Sequence, residues 1–405
     1  MASHTQWKNI RLGDVAKVIS GFAFKSKDFQ QEGIPIIKIK NIRVGSVDLS
    51  EIDHVDSSFL SLDTKYHVKG GDILISLTGS HLTQPNSVVG RVALYSSSLG
   101  HCLLNQRAGK IIITKPDICD KLFLFYSIYT EEKRREIALM ALGAASQANV
   151  SPSQVESVEM KLPPLSIQRK TAAILSAYDR LIENNTRRIE ILEEMARSIY
   201  REWFVKFRFP GHEQVQMVDS ELGLIPEGWE AKKIKDVVEL AYGKSLIAKN
   251  RIPGTVPVYG SAGIVGYHNE ALAKGPGVIV GRKGNVGSVF WSDDDFFPID
   301  TVFYVQTDVC FHYVYYNLQT QNFINNDAAV PGLNRNQAYS LPFLLPSENL
   351  LKQFQHFVDV IFKQTSNLRI KNINLRQTRD LLLPRLISGE IDVENLDINT
   401  GEIAA

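Results

Sequence analysis

The sequence predicts an α+β fold in which two strand-rich domains are separated by two long helices that pair as an antiparallel coiled coil. Two observations predict it. Similar segments recur at fixed offsets, which indicates a pseudo-twofold internal repeat, and two apolar stripes at helical spacing each follow a proline. The composition agrees, since 405 residues with 44% hydrophobic and 22% charged side chains suffice for two or three domains with their own cores.

The first repeat signal aligns the segment that begins at Trp7 with the segment that begins at Trp229, 222 positions later. Both segments then place an aliphatic residue, an aspartate, a valine and a glycine at matching positions. The same offset carries Ile34–Ile36 onto Val256–Val258. One offset that holds over several matches indicates a duplicated domain.

The second repeat signal aligns Lys161–Gln168 with Leu344–Leu351, at an offset of 183. Each segment is a short apolar run followed by a proline, Pro163 or Pro346, and then by a long helical pattern. The second domain is therefore shorter than the first by about 39 residues, the difference between the two offsets. The two domains are related but unequal.

The first long helix is predicted from Ser166 to Phe204, a length of roughly 58 Å at about 1.5 Å per residue. Its apolar positions recur at steps of three and four, which is the narrow stripe of a coiled coil. The residues that we place at the contact between the helices are Ile174, Tyr178, Ile182, Ile189 and Leu192.

The second long helix repeats this rhythm, and Pro384 is expected to kink or terminate it. A helix of this length cannot bury its stripe alone, so we expect the two stripes to face each other, with Asn185, Thr365 and Asn372 setting the register. In the alternative, each helix packs on its own domain and these polar residues are half-exposed. The contact residues predicted on the second helix are Phe357, Ile361, Leu368 and Leu375.

Both globular domains are predicted to combine a curved sheet with short helices. In the first domain we expect strands within 34–42, 73–77, 88–95 and 110–114, and a helix within 122–142. In the second we expect strands within 277–281, 287–291 and 301–305, and a helix within 312–325.

Each half of the chain carries its own ordered set of short strings. The most informative are Gly71-Asp72-Ile73-Leu74, Leu104-Asn105-Gln106, Leu162-Pro163-Pro164-Leu165, Ile225-Pro226-Glu227-Gly228-Trp229, Gly281-Arg282-Lys283-Gly284-Asn285-Val286-Gly287 and Leu383-Pro384-Arg385-Leu386-Ile387-Ser388-Gly389-Glu390. Their doubled order resembles the DNA specificity (S) subunit of type I restriction-modification systems over essentially the whole chain. The chain departs from the family pattern at the helix starts, which usually carry Glu-Gln after the prolines and here read Ser166-Ile167-Gln168 and Ser347-Glu348-Asn349.

The resemblance implies two target recognition domains, each of which reads one half of a split DNA site, and two helices that act as a fixed-length ruler. On this basis we divide the chain into a first target recognition domain (1–163), a first long helix (164–209), a second target recognition domain (210–345), a second long helix (346–389) and a tail (390–405). Two unequal readers imply an asymmetric site.

The resemblance also implies partners. These are double-stranded DNA, two methyltransferase (modification) subunits and the restriction motor-nuclease subunits. S-adenosylmethionine, ATP and magnesium would be bound by those subunits and none of them by this chain, which would be non-catalytic.

Candidate DNA-contacting residues in the first domain fall in two stretches. The first is the most basic part of the domain and suits phosphates, and the second is a turn-rich loop whose amides and arginines suit base edges. The candidates are Lys25, Lys27, Lys38, Lys40, Arg43, Thr78, Ser80, Gln84, Asn86, Arg91 and Arg107.

In the second domain the sharpest candidate is the loop Arg282-Lys283-Gly284-Asn285, because glycine allows close approach of the backbone while its neighbours supply charge and an amide. Asn334 and Arg335 come next, followed by Tyr259 and Ser261. For each single residue the alternative is a solvated loop position.

Composition and motifs exclude several other classes. A net charge of +1 excludes a binder held by bulk positive charge, and three isolated cysteines give no disulfide framework or zinc site. No apolar run is long enough for a membrane helix, and the N-terminus lacks signal-peptide features, so a cytoplasmic protein without membrane contact is expected. Gly243-Lys244-Ser245 lacks the earlier glycine of a phosphate-binding loop. A duplicated protein-interaction scaffold, or a stand-alone nuclease or methyltransferase, remains the alternative function.

Overall fold

A computed structural model describes residues 7–80, 88–144, 147–324 and 332–401. The chain divides into two compact units, which are described separately below. The first unit comprises Met1–Glu183 and Ile373–Ala405, and the second comprises Asn184–Asn372. The five-part division drawn from the sequence stays a prediction.

The first unit is strand-rich and contains three short helices before the long one. Its strands are β1 (Lys8–Arg11), β2 (Ala16–Ser20), β3 (Phe29–Gln30), β4 (Ile34–Ile37), β5 (Asp53–Val55), β6 (His67–Val68), β7 (Ile73–Ser76), β8 (Thr78–Gly79), β9 (Val92–Leu94), β10 (Cys102–Leu104), β11 (Ala108–Ile113), β12 (Leu142–Ala144), β13 (Gln147–Asn149) and β14 (Glu159–Leu162). Its short helices are α1 (Lys121–Tyr129), α2 (Glu131–Leu139) and α3 (Pro152–Glu156).

The sheets of the first unit surround its core. Four strands form the order β2-β11-β7-β9, five form β3-β5-β4-β10-β6, three form β12-β13-β8, and β1 pairs with β14. The core below the four-stranded sheet includes Phe123 and Val155, together with Leu383, Leu386 and Val393 from the C-terminal part of the chain. The last thirty or so residues therefore complete the core of the first unit.

The second unit repeats this plan with fewer strands. Its first long helix is α4 (Leu165–Tyr200), which begins in the first unit. The strands are β15 (Met217–Ser220), β16 (Gly223–Pro226), β17 (Glu230–Lys233), β18 (Glu239–Tyr242), β19 (Val256–Gly260), β20 (Gly263–His268), β21 (Gly277–Gly281), β22 (Val289–Ser292), β23 (Phe297–Pro298), β24 (Val302–Gln306) and β25 (Pro342–Leu345). The other helices are α5 (Ile234–Val237), α6 (Phe311–Thr320), α7 (Arg335–Ser340) and α8 (Glu348–Ile387).

The sheets confirm both repeat offsets residue by residue. In the first unit Lys8 pairs with Leu162, and in the second Glu230 pairs with Leu345, so the first strand of each pair is shifted by 222 and the second by 183. The order β18-β24-β21-β22 corresponds to β2-β11-β7-β9. The parallel pair β19–β23 likewise corresponds to β4–β10.

One glycine position shows why a repeat residue is kept in both units. A Cβ added to Gly21 would lie 2.2 Å from the carbonyl oxygen of Leu104, and one added to Gly243 would lie 2.1 Å from that of Ile299. Any side chain at either position would clash with backbone. Gly243 is thus a close-packing position, which explains the Gly-Lys-Ser string without a phosphate-binding loop.

The long helices differ slightly from their predicted limits. The α-helical part of the first ends at Tyr200, and a π-helical segment, Arg201–Val205, follows. The second continues through Pro384 to Ile387, so the proline does not end it. Proline near the end of a helix removes only one backbone donor, and the turn that follows still closes through the amide of Ser388, which donates to the carbonyl of Pro384 at 3.1 Å.

Three shorter elements also differ from prediction. The helix expected within 122–142 is two helices, because Thr130 has an extended backbone and accepts the amide of Lys133 on its hydroxyl as an N-cap. The strand expected to run to 42 ends at Ile37, and a 3₁₀ turn, Ile39–Asn41, follows. The helix expected within 312–325 is Phe311–Thr320.

Candidate nucleic-acid interface

In the second unit, the loop after β21 is held by hydrogen bonds to its own backbone and to a neighbouring turn. The hydroxyl of Ser288 lies 2.9 Å from the carbonyl oxygens of both Ser261 and Asn285 and shares its one hydrogen between them. Gly284 adopts a φ of +80°, which favours glycine. The side chain of Asn285 is exposed and that of Ser261 is half-buried. The predicted loop therefore presents an amide from a fixed backbone.

Arg282 and Arg335, both predicted from sequence, lie on one aromatic ring that sequence reasoning missed. The guanidinium carbon of Arg282 is 4.9 Å from the ring centroid of Tyr242, and that of Arg335 is 4.8 Å from it. Guanidinium groups at this distance are attracted by the electron-rich face of the ring. The structure brings the two arginines together, although 53 positions separate them in the sequence.

The other candidates of the second unit have more structural roles. Lys283 is half-buried and its backbone forms a bridge to Gly332. The side chain of Asn334 caps α7 and accepts from the backbone amide of Asn336 at 2.8 Å. Tyr259 is buried, and its hydroxyl donates to the carbonyl of Trp291 at 3.2 Å. Because a buried ring cannot reach a base edge, we leave Tyr259 out of the contact surface.

In the first unit, two of the four predicted phosphate-binding lysines share one acidic partner. The ammonium groups of Lys38 and Lys40 lie 3.1 and 3.3 Å from one carboxylate oxygen of Asp53. Burial raises the pKa of Asp53, but the two ammonium groups outweigh it and the pKa is lowered overall. Lys38 also lies over the ring of Phe29. Lys25 and Lys27 are exposed.

Arginines converge at a cleft of about 420 Å³ in the first unit. Arg43 pairs with Asp48 at 3.0 Å, and hydrogen bonds from Ser50, followed by Arg43, lower the pKa of that carboxyl to about 2. Burial, followed by the positive charges of Arg134 and Arg43, lowers the pKa of Arg91. Among the residues that the structure describes, the buried Nε of Arg91 has no hydrogen-bond partner. The cleft therefore combines three cations with the carboxylates of Asp48 and Glu51, and Arg91 is the arginine in it that has no acidic partner among the described residues.

The remaining candidates of the first unit differ in burial and in role. Thr78 is buried and its hydroxyl donates to the side-chain oxygen of Asn149 at 2.7 Å, so its role is structural. Ser80 is half-buried and Arg107 is exposed. Gln84 and Asn86 fall outside the described residues.

Within the first unit, the two long helices meet through a partly buried ionic network. Arg379 of α8 pairs with the carboxylate of Asp179 on α4, and it donates to the hydroxyl of Tyr129 at 3.1 Å. The hydroxyl of Tyr126 donates to Asp179 at 2.5 Å. Ile182 is buried, while Ile174, Tyr178 and Leu375 are half-buried. Ile174 packs on the core of the unit.

Within the second unit, the same two helices meet through an amide pair. The side-chain amide of Asn185 donates to the side-chain oxygen of Asn372 at 2.9 Å, and both residues are buried. Ile361 and Leu368 are buried, and Ile189 and Leu192 are half-buried. Phe357 is 53% exposed and touches Trp203 edge-to-face, while the buried position beside it is Val358.

Antiparallel pairing is evident in each unit on its own. In the second unit, Asn185 meets Asn372 near one end of the shared stretch and Tyr200 meets Phe354 at the other. In the first unit the start of α4, including Ile167, shares a core with Leu386 at the end of α8. Each helix also joins the core of a globular unit, so the two packing alternatives both hold in part.

Two negative findings concern the described residues alone. Within 7–80, 88–144, 147–324 and 332–401, no cluster of three or more metal-ligating side chains is present. Over the same part of the chain, no helix has the length and apolar character that crossing a membrane requires.

The chain is similar to known proteins along most of its length. The family model described as type I restriction modification DNA specificity domain matches residues 4–194 and 226–375. A type I restriction enzyme specificity subunit of Methanocaldococcus jannaschii is 23% identical over 96% of this chain and 94% of its own length. A second from the same organism is 30% identical over 59% of this chain. The chain spans about half the length of that relative and of a third, putative, specificity subunit from this archaeon.

A solved structure agrees with the fold. The crystal structure of a type I restriction-modification system S subunit from M. genitalium superposes with a TM-score of 0.60 at 15% identity, over 96% of this chain and 97% of the other. This likeness confirms the predicted fold class. Because the family model matches most of the chain, in two stretches that correspond to the two halves of the repeat, the chain belongs to the type I restriction-modification DNA specificity family.

Proposed function

We propose that the chain recognises an asymmetric, two-part site in double-stranded DNA, with one half-site read by each unit. As a member of the specificity family it is a recognition subunit and not an enzyme. The observation that carries the proposal is the repeat itself: one backbone frame occurs twice, and its surface side chains differ between the copies. Equal frames with unequal surfaces suit two different half-sites.

We further propose that the chain acts in the cytoplasm as the scaffold of a complex with two methyltransferase subunits, which motor-nuclease subunits join for restriction. S-adenosylmethionine, ATP and magnesium would then be bound by those partners. The paired helices suit a fixed spacer. The 36 residues of α4 correspond to roughly 54 Å at about 1.5 Å each, or about 16 base pairs at ~3.4 Å, as an upper limit.

Genome-wide mapping of modified adenines, in cells that carry the chain with its methyltransferase, tests the recognition directly. We expect one bipartite motif with two different halves. Replacement of Asn285, whose amide is exposed on the loop after β21, by alanine should relax the base preference at one half-site only. Loss of base preference at both half-sites together would show that this loop is not the part of the second unit that reads its half-site.

A biochemical experiment distinguishes the alternatives. The purified chain is tested with random duplexes, alone and with its methyltransferase, for binding, methylation and cleavage. The proposal is supported if a two-part sequence is preferentially bound and the chain alone neither methylates nor cleaves the DNA. Methylation or cleavage by the chain alone, or the absence of any sequence preference in the complex, contradicts it.

The ruler can be tested separately. Four residues inserted after Arg188 in α4 and after Ile370 in α8 lengthen the paired helices by about one turn, or roughly 6 Å. We expect the spacer of the modified site to grow by about two base pairs at ~3.4 Å each, with both half-site sequences unchanged. An unchanged spacer contradicts the ruler.

A further inference from the structure

Tyr242, at the end of β18, is a half-exposed ring that carries two cations. It is 48% exposed, and its inner side packs on the fully buried ring of Phe303, with 5.0 Å between the centroids. The guanidinium carbons of Arg282 and Arg335 lie 4.9 and 4.8 Å from its centroid. A ring anchored on the core thus positions two positive charges at the surface.

Both arginines are held in place by contacts beyond the ring of Tyr242. The backbone amide of Arg282 donates to Thr301 at 2.9 Å, and its guanidinium donates to the carbonyl of Asp300 at 3.0 Å. The guanidinium of Arg335 also lies 5.6 Å from the ring of Tyr339, whose hydroxyl accepts the amide of Leu240. The two cations are therefore preorganised, which reduces the entropy lost when a ligand binds.

Within the described part of the chain, no acidic side chain pairs with these cations. Among the described residues, no carboxylate oxygen lies within 4.0 Å of either guanidinium, whereas Arg369 in the same unit pairs with Glu193 at 2.6 Å. Two like charges held on one ring repel each other, and a bound anion relieves that repulsion. A neutral base would leave both charges uncompensated.

The first unit has no counterpart of this cluster. The offset of 222 places Ser20 at the position of Tyr242. Leu77 takes the position of Arg282, because its carbonyl accepts the amide of Val150 as that of Arg282 accepts the amide of Leu333. The offset of 183 places Pro152 at the position of Arg335. The cluster is thus an addition to the frame and is not part of it.

We propose that Arg282 and Arg335, positioned by Tyr242, form a binding site for DNA backbone phosphates at the second half-site. The inference rests on the proposed DNA recognition and deepens it. It assigns these arginines to affinity and not to sequence reading, and it makes the two half-sites electrostatically unequal.

The salt dependence of DNA binding tests this assignment. Binding of the full chain, assembled with its methyltransferase, to a duplex that carries its site is measured between 50 and 200 mM salt. Each lost phosphate contact should flatten the plot of log K against log salt by about 1. We therefore expect a change of about 1 for Arg282→Gln, about 1 for Arg335→Gln and about 2 for the pair, with an unchanged base preference.

Matched variants distinguish the effect of losing a positive charge from the effect of where that charge is held. Arg208→Gln removes an equally positive, exposed side chain of the second unit that pairs with Glu202, and it should leave the slope unchanged. Arg282→Lys and Arg335→Lys keep the charge and should retain most of the slope, which also guards against misfolding of the glutamine variants. Tyr242→Phe keeps the ring and should bind as the wild type does, whereas Tyr242→Leu should weaken binding to all sequences alike.

The outcomes that overturn the inference differ from those that overturn the proposed function. If the wild-type complex shows no preference for a two-part site, DNA recognition itself fails. If the wild type binds its site but the glutamine variants keep its salt slope, only the phosphate site fails. Altered preference at a single base pair in either variant would make that arginine a base reader and would also overturn the inference.

Discussion

The two units share one backbone frame but place the cations of their predicted DNA-contacting residues in different surroundings. In the first unit, Lys38 and Lys40 share the single carboxylate of Asp53. In the second, Arg282 and Arg335 lie on an aromatic ring and keep their charge for a ligand. The difference teaches that the frame fixes where the backbone runs, while the side chains at the strand ends are free to diverge.

The units also differ in how they hold the long helices. The first unit uses a partly buried network around Arg379 and Asp179, and the second uses the amide pair of Asn185 and Asn372. An ion pair that is shielded from water is costly to break, and an amide pair less so. The following changes, from the largest expected effect to the smallest, test whether the units behave as separately as this contrast implies.

Removal of residues 390–405 should destabilise the first unit and spare the second. Val393 is 1% exposed, and Ile391 and Ile398 pack on the same core. Loss of these contacts should lower the free energy of unfolding of the first unit by about 5 kcal/mol. Hydrogen exchange, followed on peptides of both units, measures this. Equal acceleration in both units would contradict the contrast, and Leu396→Ser, at an exposed position, serves as the control.

Arg379→Met should cost the first unit about 4 kcal/mol, because it leaves Asp179 in a partly buried place without its cation. The matched change in the same helix is Arg369→Met in the second unit. Arg369 is 46% exposed, and loss of its pair with Glu193 should cost less than about 1 kcal/mol. Denaturant unfolding of both variants measures the two losses in the free energy of unfolding. Similar losses would show that burial does not distinguish the two pairs.

Acid should weaken the second unit through His312. Burial lowers the pKa of this ring to about 4, since it lies between Trp291 and Phe362. The unfolded chain takes up the proton near pH 6.5 and the folded unit only near pH 4, so stability is complete above pH 6.5 and falls as the pH drops towards 4. The loss should total about 3 kcal/mol.

Unfolding of the wild type and of His312→Phe at pH 7 and pH 4.5 measures this contribution. The variant should lose less stability than the wild type between the two values. The carboxylate of Asp359 lies 3.3 Å from Nδ1 of His312 and is half exposed to solvent. An identical pH dependence in the two proteins would show that His312 is not the acid-sensitive group.

Asn185→Ala should have the smallest effect, a loss of about 1.5 kcal/mol in the second unit, because the side-chain oxygen of Asn372 loses a donor. Joint replacement of Asn185 and Asn372 by leucine should recover stability but weaken the preference for one helix register. Thermal unfolding measures the first effect. Asn184→Ala, at the exposed neighbouring position, is the control.

The sequence predicted the frame because the frame depends on pattern. The offsets of 222 and 183 relate β1 to β17 and β14 to β25 to the residue, and the structure adds that these strands pair within each unit. The spacing of apolar residues likewise gave the two long helices. Periodicity and repetition are properties of a string, so they can be read without coordinates.

The side-chain partners could not be read in this way. Nothing in the order of residues shows that Asp53 reaches Lys38 and Lys40, or that Tyr259 is buried while Tyr242 is exposed. These facts depend on contacts between residues that are distant in the chain. One signal was available for Tyr242: it breaks the repeat, because an aromatic residue stands where the first unit has Ser20.

The C-terminal segment has a consequence for the order in which the protein is made. Synthesis delivers residues 184–372 before 373–398, yet Leu383, Leu386 and Val393 belong to the core of the first unit. Domains usually fold in the order in which they leave the ribosome. Here the second unit has all its residues before the first does, because the core of the first unit is completed only when residues 383–393 have been made.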